Sequence, residues 1–161
     1  MTKVFCLQIV LDDTYDSYGT LDELTLLTEA IRRWDIGALD MLPDYMKFIY
    51  KSLLDFFAEM EEDMNKEGRA YCVDCPKMMQ RVVEAYFAEA IWFNRGYFPS
   101  TFDEYMTVAL ETGSCRLTIA MIFLAMCATK EDFDWFCSDH KIIKAADRIA
   151  RLLVDKASQR V

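Results

Sequence analysis

A chain of 161 residues with 53% hydrophobic and 14% aromatic side chains can bury a core without disulfides or metals as staples, which excludes intrinsic disorder. Its formal net charge of −9 excludes binding of a nucleic-acid backbone as its main business, and an anionic ligand would need cations to mediate the contact. Five glycines and three prolines are few breakers for this length and favour long helices over many short strands.

In chain order, the opening stretch MTKVFCLQIVLDD holds one lysine and a short apolar run that ends in aspartates. It lacks the small-residue cleavage site of a secretory signal and is expected to form a buried helix. Thr20 to Glu23 reads as a capping box that opens a helix with Leu24, Leu27 and Ile31 on one face. Pro43, at a first-turn position before Asp44, opens a long helix whose apolar residues Tyr45, Phe48, Ile49, Leu53, Phe56, Phe57 and Met60 recur near a 3.6 period. Gly68 is its stop. Pro76 opens the next helix, which Gly96 and Pro99 close, and Thr101 to Glu104 is a second capping box. The helix starting there runs into Thr112-Gly113-Ser114, where a break is predicted. A further apolar helix follows through Leu117, Met121 and Leu124, then a short one from Thr129 and a last one from Lys141. The longest apolar stretch, Leu117 to Ala128, is short for a bilayer and interrupted by Thr118, so no membrane span is expected. The pattern predicts an all-α chain, a single bundle of six to eight helices.

Six cysteines, at positions 6, 72, 75, 115, 127 and 137, include one CxxC with no second pair or neighbouring histidine to complete a zinc site. They read as reduced thiols, and a cytoplasmic location is the corresponding expectation. His140 is the sole histidine, which removes most histidine-based catalysis.

The chemistry concentrates in Leu11-Asp12-Asp13-Thr14-Tyr15-Asp16. Asp12 and Asp16 are four apart and share one helix face, with Asp13 about 100° around. Three neighbouring carboxylates call for a cation, and hard oxygen donors select Mg²⁺, which bridges one or two carboxylates to a substrate phosphate. The other reading of the same residues is a solvated helix end running into the turn at Ser17-Tyr18-Gly19.

The stretch DDTYDSYGTLDELTLLTEAIRRWD, followed by LPDYMK and AYFAEAIWF, resembles plant-type class I terpene synthases, as do GRAYCVD, PSTFDEYM and the run Ile142 to Leu153. The resemblance covers essentially the whole chain and implies one partial metal-binding domain over 1–161, a helical bundle of the class I terpenoid synthase type, incomplete at both ends. It implies Mg²⁺ (or Mn²⁺) and a prenyl diphosphate substrate, farnesyl diphosphate by the wording of the motifs. The implied reaction is diphosphate ionisation followed by carbocation cyclisation. Asp12 and Asp16 would ligate metal with Asp13 in support, and Arg151 would contact the departing diphosphate. Thr112, Gly113 and Ser114 would face the pocket, and Tyr86, Phe87, Trp92, Phe93 and Tyr105 could supply π faces to a cation.

The family's second metal motif falls on Val154-Asp155-Lys156-Ala157-Ser158, leaving Asp155 and Ser158 as its candidate ligands. Val154 offers no oxygen, and the chain stops one residue before the glutamate the motif expects. The expectation is therefore little or no cyclase activity, with self-association through exposed core faces. A prenyl-chain elongating transferase would carry a second DDxxD, which does not occur; a non-catalytic helical module of the same fold is the alternative.

Overall fold

The computed structural model describes residues 2–69, 74–138 and 140–158, and every described element is helical. Eight α-helices form: α1 (Thr2–Asp13), α2 (Leu21–Arg33), α3 (Asp44–Lys66), α4 (Cys75–Arg95), α5 (Phe102–Thr112), α6 (Cys115–Ala125), α7 (Lys130–Cys137) and α8 (Lys141–Ser158). A π-turn, Thr14–Tyr18, joins α1 to α2, and a 3₁₀ segment, Ile36–Met41, joins α2 to α3.

Caps set most boundaries. Thr20 accepts a bond from the Glu23 backbone while the Glu23 carboxylate returns to the Thr20 N–H at 3.0 Å, a complete capping box for α2. Thr129 and Asp132 repeat the device at α7. At α5 half of it forms: Thr101 accepts from the Glu104 N–H, but the Glu104 carboxylate accepts instead from the Ser100 N–H and the Tyr97 hydroxyl. Pro43 is the N-cap of α3 and not its first helical residue, and its carbonyl accepts from Met46 and Lys47. Pro76 sits in the first turn of α4, where Asp74 caps the Lys77 N–H. Left-handed Gly68 follows α3, and left-handed Gly96 caps α4.

Helix α4 is the hub, packed against α2, the π-turn, α5 and α6; α1 and α2 lie on α3, and α8 lies on α5 and α6. The main core runs from Leu11 through Leu24, Leu27, Ile31, Met46, Tyr50, Leu53 and Phe57 to Met79, Val83 and Leu117. Tyr50 is fully buried, and its hydroxyl donates to the Ala30 or Asp35 carbonyl and accepts from the Asp35 N–H. That pins the end of α2 to α3.

Two expectations change. Helix α1 is not buried throughout: Val4, Gln8 and Leu11 face the core, while Phe5, Ile9 and Val10 are exposed, because only one of its faces meets α3. Helices α5 and α6, counted together as Phe102–Ala125, have the length and hydropathy of a membrane-crossing segment. They are nevertheless two 11-residue helices separated at Gly113-Ser114, each about 16 Å long and half a bilayer core.

Candidate functional site

Asp12 lies in the last turn of α1, and Asp16 sits in the π-turn that follows. The turn is held by the Gly19 N–H donating to the Thr14 carbonyl at 2.8 Å and by the Tyr15 hydroxyl bonded to Thr28 at 2.7 Å. Gly19 is required here: a Cβ would lie 2.5 Å from a side-chain carbon of buried Leu24 and 3.1 Å from the Thr14 carbonyl. The wider turn keeps Asp12 and Asp16 on one face, and both line a cleft of about 490 Å³.

The opposite contributions come from later helices. Tyr86 and Glu89 project from α4, Thr112, Gly113 and Ser114 from the α5–α6 break, and Arg151, Val154 and Ser158 from α8. Phe5 and Ile9 of α1 complete an apolar wall. The break forms as expected, but its strained residue is Ser114 at φ 48°, while Gly113 is helical at φ −60°.

Electrostatics mark this cleft. Burial, and then the charge of Asp16, push the Asp12 carboxyl above the ordinary carboxylate range, against a stabilising bond from the Tyr86 hydroxyl. Asp16 rises through burial and the Asp13 charge. Glu89 rises through burial, opposed by Arg151 and by a hydrogen bond from Thr112. Three acidic groups thus share a cleft that does not fully neutralise them. The side-chain nitrogen of Gln8, one turn before Asp12, is buried in the cleft floor with no hydrogen-bond partner among the described residues.

Among the described residues that line the cleft the cation is Arg151. Its Nε and Nη2 bond the same Asp155 oxygen at 2.8 and 2.7 Å, and its Nη1 donates to the Thr112 hydroxyl at 3.1 Å. Its guanidinium carbon lies 5.7 Å from the centre of the Tyr105 ring. Thr112 also donates to Glu89 at 3.1 Å or to the Ala109 carbonyl at 3.2 Å, so α4, α5 and α8 meet at one hydroxyl.

Not every residue singled out from the sequence lines this cleft. Asp13 is exposed and lines a neighbouring groove with Val10, Tyr18, Tyr45 and Ile49, as its 100° offset around the helix requires, while its charge still reaches Asp12 and Asp16. Among the described residues no three acidic, cysteine or histidine side chains are gathered into a group that could hold a metal ion. Asp155 is the counter-ion of Arg151 and does not line the cleft, because Arg151, Val154 and Ser158 take the cleft face of α8 and Asp155 falls beside it. Ser158 reaches the cleft, with its hydroxyl donating to the Val154 carbonyl at 3.1 Å. Trp92 does not line it; its ring packs on Tyr97 at 6.3 Å, while Phe87 packs on the core and Phe93 is exposed. Tyr105 lies under Arg151. Glu89 was not singled out from sequence, although the spacing of Tyr86 and Glu89 on one face of α4 was the available signal.

The donor set suits a hard divalent cation. Mg²⁺ takes one or two carboxylates, keeps several waters and completes its shell with substrate phosphate. Asp12 and Asp16 are such a pair, with Glu89 as a further carboxylate in reach of the same cleft.

Fold and cleft together define an all-helical, acid-lined pocket with Arg151 at its edge. Comparison with known proteins gives the lineage: residues 1–160 match the metal-binding domain of the terpene synthase family, and the chain belongs to that family. Terpene synthase 1 of Citrus sinensis is 50% identical over 158 residues, covering 96% of this chain and 29% of that protein. (E)-beta-farnesene synthase of Citrus junos is 48% identical over 97% of this chain and 28% of its own length. Isoprene synthase of grey poplar (Populus x canescens), solved with three Mg²⁺ ions and dimethylallyl-S-thiolodiphosphate, superposes with a TM-score of 0.75 at 33% identity, covering 92% of this chain and 28% of that one. The chain therefore spans under a third of the length of these relatives.

Proposed function

We propose that the cleft binds Mg²⁺ and the diphosphate of a prenyl diphosphate, with Asp12 and Asp16 as the metal-holding carboxylates. The observation that carries this is the pairing of two mutually repelling carboxylates with Arg151 in a single cleft. Bound Mg²⁺ would supply Lewis-acid charge to the diphosphate oxygens. The chain's own residues would then do the following. Arg151 presents N–H donors where negative charge develops on the leaving diphosphate as the carbon–oxygen bond breaks. Tyr86 fixes Asp12 through its hydroxyl. Phe5, Ile9 and the Tyr86 ring form a wall without a ready nucleophile, along which an allylic cation can cyclise and lose a proton to the released diphosphate. Farnesyl diphosphate is the proposed substrate, supported by the farnesene synthase among the relatives.

A second reading is favoured by Val154: a side chain with no oxygen faces the cleft, and Asp155 beside it is committed to Arg151. On that reading the scaffold binds metal and diphosphate without turning over. One experiment separates them. Incubation with farnesyl diphosphate and MgCl₂, with released diphosphate and extracted hydrocarbons quantified, is paired with calorimetric titration of MgCl₂ with and without inorganic pyrophosphate. Coupled Mg²⁺–pyrophosphate binding, lost in Asp12→Asn and Asp16→Asn, supports the site. Hydrocarbon formation then selects the synthase, and its absence selects the scaffold. Failure of Mg²⁺ and pyrophosphate to strengthen one another's binding would sink both.

A further inference from the structure

The geometry points to Asp155 as a positioning residue: it holds the Arg151 guanidinium in the orientation from which its remaining N–H groups meet an anion in the cleft. This rests on the proposed diphosphate site and deepens it.

A guanidinium carries five N–H donors in a rigid plane. In Arg151 the Nε donor and one Nη2 donor are taken by a single Asp155 oxygen, at 2.8 and 2.7 Å, and one Nη1 donor by Thr112 at 3.1 Å. The Tyr105 hydroxyl also accepts from Arg151 while donating to Asp155, so at least one Nη donor remains. The Tyr105 ring at 5.7 Å restricts rotation of the plane. The Arg151 and Asp155 side chains are largely buried, with 19% and 24% of their surface exposed, so water competes weakly for these bonds. Asp155 and Arg151 are one turn apart on α8, while Thr112 ends α5, so the plane is fixed from two elements at once. Val154 and Ser158 share the cleft face with Arg151, whereas Asp155 lies beside that face, where it can hold the arginine without meeting the ligand.

Position and charge make opposite forecasts. If Asp155 merely neutralised Arg151, its removal would strip a negative charge from beside an anion site and tighten anion binding. If it positions Arg151, removal releases a long flexible side chain and weakens binding despite the more favourable net charge.

The test is titration of inorganic pyrophosphate into the full chain at saturating MgCl₂, for the unmodified protein, Asp155→Ala, Asp155→Asn, Arg151→Ala and the Arg151→Ala/Asp155→Ala double variant, each checked for helicity by circular dichroism. Expected are about tenfold weaker binding in Asp155→Ala, in the range typical of residues that orient ligand-binding groups, and recovery to within about threefold in Asp155→Asn, whose amide oxygen still accepts from Nε. In the Arg151→Ala background the Asp155→Ala substitution is expected to change nothing, which a general structural role would not produce. Unchanged or tighter binding in Asp155→Ala overturns the positioning role, as does an equal loss with and without Arg151. If Asp155→Ala loses helicity, Asp155→Asn decides: binding as weak as in Arg151→Ala overturns the role. Absence of pyrophosphate binding by the unmodified protein, or no loss on Arg151→Ala, overturns the diphosphate site itself and the positioning role with it.

Discussion

Asp12→Asn tests whether the acidic pair is held against its own repulsion. Carboxylates four apart on a helix have Cβ atoms about 6 Å apart. At an effective dielectric near 20, unit charges at that distance repel by about 3 kcal/mol. Asp16 is exposed, however, so screening reduces the net penalty to about 1 kcal/mol. Asn keeps an oxygen to accept from the Tyr86 hydroxyl and removes the charge. The metal-free protein should therefore become more stable at pH 7, with Tm rising about 2–4 °C for a chain of this size. Mg²⁺ reverses the order of merit. A cation at ten times its dissociation constant adds about 1.4 kcal/mol to the unmodified protein, and Asp12→Asn should lose most of that gain. The assay is thermal unfolding by circular dichroism at pH 7, in EDTA and in MgCl₂. A lower Tm for Asp12→Asn in EDTA, or an undiminished Mg²⁺ gain, would refute the idea of a self-repelling pair awaiting a cation.

Tyr50→Phe leaves the part-buried Asp35 N–H without its acceptor, whereas the Ala30 and Asp35 carbonyls keep the Trp34 and Ala38 N–H groups. One orphaned donor predicts a loss of about 1–3 kcal/mol, read in urea unfolding. Ser114→Gly relieves a left-handed residue at φ 48° and should stabilise by about 1 kcal/mol in the same measurement. Glu89→Gln addresses pH: burial raises the folded-state pKa of Glu89 above its ordinary 4.5. The folded state then holds more protons than the unfolded state, so stability falls as pH rises from about 4.5 through the folded value. Glu89→Gln should flatten that fall in Tm measured from pH 4.5 to 7 in EDTA.

Helix order was legible because caps and periodicity agree locally: Thr20 with Glu23, Thr129 with Asp132, and Leu24, Leu27 and Ile31 all appear where their spacing puts them. The acidic cluster was legible as a motif but not as a geometry. Spacing on one helix shows that Asp13 diverges from Asp12; it does not show that Asp13 enters a separate groove beside Tyr18 and Tyr45. The pairing of Asp155 with Arg151 was not legible, because a motif fixes residue type and register while the partner of a carboxylate depends on how the helices pack around it. The spacing of Tyr86 and Glu89 put both on one face of α4, but the meeting of three helices at Thr112 is a contact that no single-helix pattern contains. The helix break was visible in Thr112-Gly113-Ser114, but not that Ser114 would bear its positive φ.

The cleft unites two halves that are not equally secured. The acidic half grows from α1 and its π-turn, held by Leu11, Tyr15 and Leu24 in the main core. The arginine half hangs on α8, where Ile143 and Asp147 are the buried residues and Ile142, Ile149, Leu152 and Leu153 face outward. Its polar anchors are Asp147, bonded to Arg116 at 2.9 Å, and Arg151 on Thr112. An amphipathic helix with little buried surface opens at lower free energy than the helices beneath it. Amide hydrogen exchange should therefore protect α4 to near the global stability while α8 exchanges by local opening at a smaller free energy. Pyrophosphate with Mg²⁺ should slow exchange in α8 selectively, because an anion spanning the cleft ties the labile half to the fixed one. Equal protection of α8 and α4 before any ligand is added would show that Arg151 is already as rigidly placed as Asp12.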